Sequence, residues 1–263
     1  MTERTSPPPP DGFVRIRMRV AYDGSDYSGF MKNPEAPTIE GALEAALTES
    51  LRHPVKLTCA GRTDRGVHAK GQVITLDADG SHFDAHALGR ALNRKLGPEM
   101  AIDRIEEAPP SFDARLSCTG RTYRYEILNR PVGDPLIRTV TWHVVEMLDL
   151  ASMNEASAEI IGLHDFSAFS KRNKSRPTET FLRRVRTAEW SRHGDIVRFE
   201  INANAFTHQM VRSLVGMFVA VGLGRREVAN VGEVLRSLDR AAAPSPAPPT
   251  GLVLWEAHYD PQK

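Results

Sequence analysis

The sequence predicts an α+β fold made of two similar halves. Short stretches that alternate apolar and polar residues indicate strands, and stretches with apolar residues at helical spacing indicate helices. The order of these elements is approximately repeated after Pro109-Pro110. Such a repeat is typical of two ferredoxin-like halves that share a mainly antiparallel sheet. It predicts a central cleft between the halves, where binding sites are favoured.

The N-terminal half, residues 13–108, follows a Pro-rich segment, residues 1–12, for which we expect a flexible tail. Residues 13–21 alternate apolar residues with arginines, as a strand with one buried face does. Residues 38–51 begin with threonine, a preferred N-cap, and continue with apolar residues at helical spacing. The rest of this half is predicted as strands at 55–60, 72–76 and 101–105 and a helix at 84–95.

The C-terminal half, residues 109–263, is dominated by a helix predicted over residues 207–223. Apolar residues cover nearly its whole circumference, so we expect this helix to be buried. A Pro/Ala-rich segment, residues 241–250, is expected to have no regular structure. The remaining elements are strands at 121–128, 185–190, 196–202 and 252–259 and helices at 150–161 and 227–238.

Composition places the chain among soluble globular proteins. Its 263 residues are 41% hydrophobic and 25% charged, and the longest apolar stretch, residues 211–223, is too short to span a bilayer. The N-terminus lacks the apolar core of a secretory signal, so we expect a cytoplasmic protein. Cys59 and Cys118 form no Cys-x-x-Cys pair, and the chain contains no Walker loop, dinucleotide fingerprint or metal-ligand motif. We therefore expect neither a metal nor a nucleotide cofactor.

Basic residues are concentrated in two segments, although the net charge is only +1. Between residues 52 and 70, five arginines and lysines oppose one acid, Asp64. Between residues 171 and 186, seven basic residues, Lys174 and Arg176 among them, oppose only Glu179. Local basic patches in a nearly neutral chain suit a groove for a phosphate backbone, although a solvated charged surface has the same composition.

The most informative stretch is residues 59–68, which sets Asp64 between Arg62 and Arg65 on a glycine-bracketed turn. A nearby guanidinium favours the ionised carboxylate, which suits a nucleophilic or electrostatic role better than that of a general acid. The planar guanidinium of Arg62 can contact phosphate or stack on a base. The alternative is a tight turn with an Arg–Asp surface pair, and this stretch alone does not decide between the two. For His68 we favour a structural role.

Arg121, Tyr123 and Tyr125 are expected on one face of the strand at 121–128. Arginine and aromatic side chains on one face can form a platform for a flipped base. For Tyr125 we favour the alternative, a structural tyrosine in the sheet. For Tyr123 the pattern leaves both interpretations open.

Arg212 lies within the apolar helix and requires a partner, because an isolated buried charge costs several kcal/mol or more. Asp64 is one candidate for this ion pair, and Glu200 or another core acid would serve equally well. The segment that precedes the helix, residues 205–208, offers backbone amides and His208 as a place for a phosphate.

Several motifs together resemble the bacterial tRNA pseudouridine synthase A family. The resemblance runs from about Phe13 to Tyr259, and its motifs occur in the family's order. They are Ala21-Tyr22-Asp23-Gly24-x-x-Tyr27-x-Gly29-Phe30, Ala60-Gly61-Arg62-Thr63-Asp64-x-Gly66-Val67-His68, Arg121-x-Tyr123-Arg124-Tyr125, His164-Asp165-Phe166-x-x-Phe169, Met210-Val211-Arg212 with Val215-Gly216, and Ala247-Pro248-Pro249-x-Gly251-Leu252.

The resemblance implies the pseudouridine synthase fold with an RNA-binding cleft. It also implies an enzyme that converts uridine to pseudouridine at positions 38–40 of the tRNA anticodon stem-loop, without metal or organic cofactor, as a homodimer. Asp64 matches the family's nucleophile, which attacks the ribose C1′ or the base C6. Tyr123 matches the tyrosine that packs against the target base, Arg62 the arginine that holds the flipped nucleotide, and Arg212 the helix arginine that ion-pairs with the nucleophile.

Three positions depart from the family pattern: Met31 and the residues after it, Arg65, and Ser213. The first two motivate an alternative in which the enzyme modifies another uridine or another RNA. A further alternative is a non-catalytic RNA-binding protein that keeps the basic groove. Asp64 argues against it, because simple RNA binding gains nothing from a carboxylate that faces phosphates.

Overall fold

The computed structural model describes residues 6–81, 83–172 and 180–260. The chain folds into two compact units. The first consists of Met1–Thr119 and the C-terminal Leu254–Lys263, and the second is Gly120–Val253. The predicted α+β class and the mainly antiparallel strand pairing are confirmed. In the described ranges, no helix is both long and apolar enough to cross a membrane.

The first unit contains β1 (Phe13–Tyr22), α1 (Ile39–Leu51), β2 (Thr58–Cys59), β3 (His68–Asp79), α2 (Ala85–Leu96) and β4 (Met100–Glu107). The second unit begins within β5 (Cys118–Asn129) and continues with β6 (Trp142–Val144), α3 (Leu150–Ala158), β7 (Gly162–Asp165), β8 (Leu182–His193), β9 (Ile196–Ala203), α4 (Met210–Gly222) and α5 (Ala229–Ser237). The last strand, β10 (Leu252–Tyr259), returns to the first unit.

The first unit has the strand order β4-β1-β3-β10, in which β1 pairs antiparallel with β3 and β4, and β2 pairs antiparallel with β3. The alternation predicted for the first strand is confirmed from Ile16 to Val20, where Ile16, Met18 and Val20 are completely buried, but not at Arg15, which is also buried and pairs with Asp77. A small second cluster of buried residues, which includes Phe112, packs against Tyr259 of the returning strand. The first unit is therefore closed by the C-terminal strand.

The second unit has the strand order β5-β9-β8-β7, and β6 pairs parallel to β5. Its core includes α4, in which nearly every residue is buried, as the apolar circumference predicts. Phe218 of α4 contacts the stacked pair of Trp190 and Phe199, whose ring centroids are 4.7 Å apart. Aromatic pairs of this kind add to the hydrophobic stabilisation of a core.

Several predicted elements differ from the structure in extent, and three of these differences are explained by contacts or backbone conformation. The strand predicted at 55–60 is reduced to β2, two residues long, because the chain leaves the ladder soon after Cys59. The helix predicted from residue 207 begins at Met210, after Gln209 in the left-handed conformation with φ 63°. The segment 241–250 is not structureless, since it joins the 3₁₀ turns Arg240–Ala242 and Pro249–Gly251.

The cap of α1 supports a quantitative prediction. Thr38 has extended backbone angles, and its hydroxyl accepts a hydrogen bond from the Gly41 N–H at 3.3 Å. Thr38→Ala leaves that amide without its cap, so we expect the free energy of unfolding to fall by about 1 kcal/mol in denaturant titrations.

Ser50→Ala is the matched control, because it removes a hydroxyl from the same helix. The buried Ser50 Oγ has no hydrogen-bond partner among the described residues. Its loss should leave stability unchanged or raise it slightly. Equal destabilisation by both variants would contradict the assigned cap.

Candidate active site

Asp64 lies on the turn between β2 and β3. Its carbonyl oxygen accepts a hydrogen bond from the Val67 N–H at 3.1 Å, which closes a four-residue turn. The third residue of the turn, Gly66, has φ 75°, a conformation that glycine adopts without strain. The Asp64 side chain is half-buried. The backbone of the turn thus holds the carboxylate in place while leaving it partly accessible.

Thr63 anchors the chain immediately before Asp64. Its side-chain hydroxyl is 2.8 Å from the Tyr22 hydroxyl, and its carbonyl oxygen accepts from the Phe30 N–H at 3.0 Å. Both Thr63 and Tyr22 are buried. Buried hydrogen bonds are strong constraints because no water competes for them, so residue 63 is fixed at both its backbone and its side chain.

Gly24 allows the segment after β1 to lie directly against this turn. A Cβ atom built on Gly24 would lie 2.1 Å from the carbonyl oxygen of Val67, a distance that no real contact permits. The Gly24 N–H lies 3.2 Å from Nδ1 of the buried His68. Only glycine permits this close approach of two backbones, and it joins the Tyr-Asp-Gly motif to the Asp64 turn.

His68 also lies near Asp23, with 3.1 Å between its Nδ1 and the Asp23 carboxylate. A backbone N–H can only donate, so Nδ1 accepts from Gly24, and the carboxylate takes its hydrogen bonds from Ser25 N and Oγ. Burial raises the pKa of the Asp23 carboxyl, but the hydrogen bonds from Ser25 outweigh it and lower the pKa below its ordinary value. These contacts agree with the structural role predicted for His68.

Arg62 and Arg65 are exposed on either side of Asp64. Among the described residues, neither guanidinium has a hydrogen-bond or ion-pair partner. The surface Arg–Asp pair that the sequence left possible is therefore not formed. The basic residues of the segment 52–70 are all exposed, namely Arg52, Lys56, Arg62, Arg65 and Lys70. Exposed and unpaired arginines next to the carboxylate are available to a substrate.

Tyr123 lies on β5 in the second unit. Its ring contacts Phe206 edge-on, with centroids 4.9 Å apart and planes at 81°. Arg121, two residues earlier on the same face, donates to the Asn204 carbonyl at 3.1 Å. The segment that precedes α4, residues 204–206, therefore fixes both side chains of this face.

Tyr125 has the structural role favoured from the sequence. It is completely buried, and its hydroxyl donates to the Pro248 carbonyl at 2.8 Å. Burial raises the pKa of this phenol far above its ordinary value, a shift that the charge of Arg212 reduces only in part. Tyr125 is therefore an uncharged hydrogen-bond donor that holds the Pro-rich segment.

Arg212 lies on the first turn of α4 and is partly buried. Its Nε donates to the Ala247 carbonyl at 2.8 Å, and the Ala247 N–H donates to the Arg212 carbonyl at 2.9 Å. Glu200, one of the candidate acids for it, bonds Arg124 at 2.5 Å. An ion pair between Arg212 and Asp64 stays a prediction.

The segment before α4 is held by residues 170 and 171. The hydroxyls of Ser170 and Thr207 are hydrogen-bonded, and the Lys171 N–H donates to the His208 carbonyl at 2.9 Å. In the second basic segment, Lys171, Arg172, Arg184 and Arg186 are exposed and Arg183 is half-buried. Lys174 and Arg176 of that segment lie outside the described residues. The exposed side chains agree with the predicted basic surface.

Each unit contains part of the predicted site. Asp64 and Arg62 share one turn of the first unit, whereas Tyr123 and Arg212 lie on a strand and a helix of the second.

The sequence pattern did not identify Gln72, a completely buried residue on β3 whose side-chain amide donates a hydrogen bond to the loop before Asp64. The sequence feature that could have indicated its role is the polar Gln72 at the start of the otherwise mainly apolar predicted strand 72–76. Among the described residues, no group of three or more potential ligands could hold a metal ion.

Comparison with known proteins identifies a family. The family model described as tRNA pseudouridine synthase matches residues 18–116 and 156–260. A tRNA pseudouridine synthase A of Methylococcus capsulatus is 42% identical over 94% of this chain and 90% of its own length. A tRNA pseudouridine synthase A of Myxococcus xanthus is 39% identical over 93% and 92%. A tRNA pseudouridine synthase A 2 of Clostridium tetani is 37% identical over 93% and 98%.

Proposed function

Because this chain belongs to the tRNA pseudouridine synthase family, and is thereby an isomerase that converts uridine to pseudouridine in tRNA, we propose that Asp64 is its nucleophile. We place its targets at positions 38–40 of the anticodon stem-loop. The observation that carries the proposal is the Asp64 turn, on which a half-buried carboxylate lies between two exposed arginines, Arg62 and Arg65. Among the described residues, neither arginine has a hydrogen-bond or ion-pair partner. Nucleophilic catalysis requires such a fixed and accessible group.

The reaction requires one bond to break and one to form. The C1′–N1 bond of the nucleotide breaks, the uracil rotates, C1′ bonds to C5, the proton on C5 leaves to solvent, and N1 takes up a proton, so that the product is an isomer of uridine. Attack by the Asp64 carboxylate on C1′ or on C6 both lead to this exchange, with the carboxylate released at the end. Because the C5 proton is lost by either route, release of tritium from 5-tritiated uridine measures the whole reaction.

Arg62 and Tyr123 act on the flipped nucleotide in this proposal. The exposed guanidinium of Arg62 contacts the nucleotide and helps to hold it outside the helix, which costs a few kcal/mol of unstacking. The exposed basic residues of the segments 52–70 and 171–186 bind the phosphate backbone and offset this cost. Tyr123, held edge-on by Phe206, packs against the base and assists removal of the C5 proton.

Arg212 supports the reaction by ion-pairing with the Asp64 carboxylate. Its guanidinium is held at Nε by the Ala247 carbonyl, which orients the rest of the planar group. An adjacent guanidinium favours the ionised form of a carboxylate and so preserves the nucleophile.

We further propose that the protein is a cytoplasmic homodimer that binds the tRNA anticodon stem-loop.

A second candidate keeps the chemistry and changes the target to another uridine or another RNA. Met31 and Arg65 motivate it, because both side chains are exposed at positions where the sequence departs from the family pattern. Their positions beside the segments that carry the Tyr-Asp-Gly and Asp64 motifs suit a contact with RNA.

Position-specific tritium release tests the proposed target. An unmodified tRNA that carries 5-tritiated uridine only at positions 38–40 should release tritium with the wild-type enzyme. A matched tRNA with cytidine at these positions and labelled uridine elsewhere should release none. Release from the second tRNA but not from the first would show that the target uridine lies outside positions 38–40.

Tyr123→Phe should lower the rate of tritium release while tRNA affinity stays close to that of the wild type. The variant keeps the ring that contacts Phe206 and removes only the hydroxyl, so a role in proton removal predicts about 10²-fold slower release. Single-turnover assays and a binding titration separate the two quantities. Loss of binding at an unchanged single-turnover rate would contradict this role.

A further inference from the structure

Gln72 binds the backbone of a single residue, Gly61, with both ends of its side-chain amide. Its Nε2 donates to the Gly61 carbonyl at 2.6 Å, and its Oε1 accepts from the Gly61 N–H at 3.3 Å. Gln72 is completely buried. A buried amide is stable only when its hydrogen bonds are made, so this contact fixes Gly61 and Gln72 together.

The register of β2 and β3 explains why the contact occurs at this residue. Thr58 pairs with Thr75 and Cys59 with Ile74, and the Ala60 N–H then donates to the Val73 carbonyl at 2.8 Å. Continuing this register places Gly61 opposite Gln72. At that point the Gln72 side chain takes the place of the backbone ladder, and the chain leaves the strand three residues before Asp64.

A second hydrogen-bond path leads from Gln72 to the residue next to Asp64. Gln72 Nε2 lies 3.4 Å from the Tyr22 hydroxyl, which lies 2.8 Å from the Thr63 hydroxyl. Because an amide nitrogen can only donate, the Tyr22 oxygen accepts from Gln72, and in the bond between Tyr22 and Thr63 either hydroxyl can donate. The amide of Gln72 is thus linked to the turn at Gly61 and at Thr63.

We infer that Gln72 is a positioning residue for the reaction, which holds the Asp64 turn in the geometry required for attack. The inference rests on the proposed nucleophilic role of Asp64. A misplacement of about 1 Å at a reacting group can cost on the order of 10²-fold in rate. Since the buried side chain of Gln72 is not accessible to RNA, its loss acts through the placement of the Asp64 turn and not through a lost RNA contact.

Gln72→Met tests the inference, because methionine keeps the length and bulk of the side chain and removes both bonds to Gly61. We expect kcat for tritium release to fall about 10- to 100-fold while the Kd for tRNA stays within about twofold of the wild-type value. A variant that keeps the wild-type kcat, or that loses affinity at an unchanged single-turnover rate, overturns the inference.

Asn93→Leu is the matched control. Asn93 makes the same two-point contact with another backbone, donating to the Ile102 carbonyl at 2.8 Å and accepting from the Ile102 N–H at 2.7 Å. This contact joins α2 to β4 and not to the Asp64 turn. The variant loses a pair of hydrogen bonds of the same kind, made by an exposed residue, and should keep the wild-type kcat. An equal fall in kcat in both variants overturns the inference.

If Gln72→Met does not fold, Tyr22→Phe tests the inference instead, because it removes only the hydroxyl group between Gln72 and Thr63. A lower kcat at unchanged affinity supports the positioning path, and a wild-type kcat overturns it. Asp64→Asn is assayed in parallel. If Asp64→Asn still releases tritium, the proposed nucleophile itself is refuted. If Asp64→Asn releases none and Gln72→Met keeps the wild-type kcat, only the role of Gln72 is refuted.

Discussion

Asp64→Asn is expected to slow tritium release from 5-tritiated uridine in tRNA by about 10³-fold or more, to the background rate. The amide is close to the carboxylate in size but cannot act as a nucleophile toward C1′ or C6. The turn itself should survive, because its closing hydrogen bond uses the Asp64 carbonyl and not the side chain. tRNA binding should therefore remain close to that of the wild type, and the loss of unfolding free energy should not exceed the contribution of the proposed ion pair with Arg212.

Asp79→Asn is the control for this loss. Asp79 is an exposed acid at the end of β3, where its side chain accepts hydrogen bonds from Ser81, a role that asparagine can also fill. This variant should release tritium at the wild-type rate. If Asp64→Asn and Asp64→Ala both kept wild-type release, the nucleophile would have to be sought elsewhere in the chain.

Gly24→Ala is expected to destabilise the protein more than the loss of the Thr38 cap does. The added Cβ would lie 2.1 Å from the Val67 carbonyl oxygen, so one of two backbone segments must move. Forced overpacking of this kind typically costs about 1–3 kcal/mol, occasionally more, and a backbone atom cannot be avoided by a change of rotamer. Val67 closes the Asp64 turn, so kcat should fall as well.

Gly89→Ala provides the comparison for Gly24→Ala. Gly89 lies within α2, and a Cβ there would meet only the Ile105 side chain, at the ordinary contact distance of 3.5 Å. Replacing glycine within a helix by alanine should raise the free energy of unfolding by up to about 1 kcal/mol. Denaturant midpoints and tritium release measure both effects. A Gly24→Ala protein with wild-type stability and kcat would show that the close contact is relieved without cost.

The sequence predicts the regular elements well where one periodicity dominates. The apolar circumference of α4 is confirmed, and the alternation in β1 is confirmed from Ile16 onward, while Arg15 is buried because it pairs with Asp77. The predicted start of α4 is too early because residues 207 and 208 bond Ser170 and Lys171, contacts between distant parts of the chain. Local propensity contains no information about such contacts.

The sequence identifies the candidate residues of the site, but not the contacts that hold them in place. The motif around Asp64 identifies the carboxylate and the two arginines, because their chemistry and spacing are local. The short β2, the Gln72 contact with Gly61 and the approach of Gly24 to Val67 depend on strand register and backbone distance. A sequence pattern of period two marks which face a residue occupies, but not which backbone it meets.

Nucleoside analysis of an unmodified tRNA after incubation with the purified protein tests the central claim most directly. The account predicts that uridine in the anticodon stem-loop is replaced by a nucleoside of identical mass with a C1′–C5 bond. The wild-type protein should form it and Asp64→Asn should not. An unchanged nucleoside composition after incubation with the wild-type protein, or equal product from the two proteins, would contradict the account.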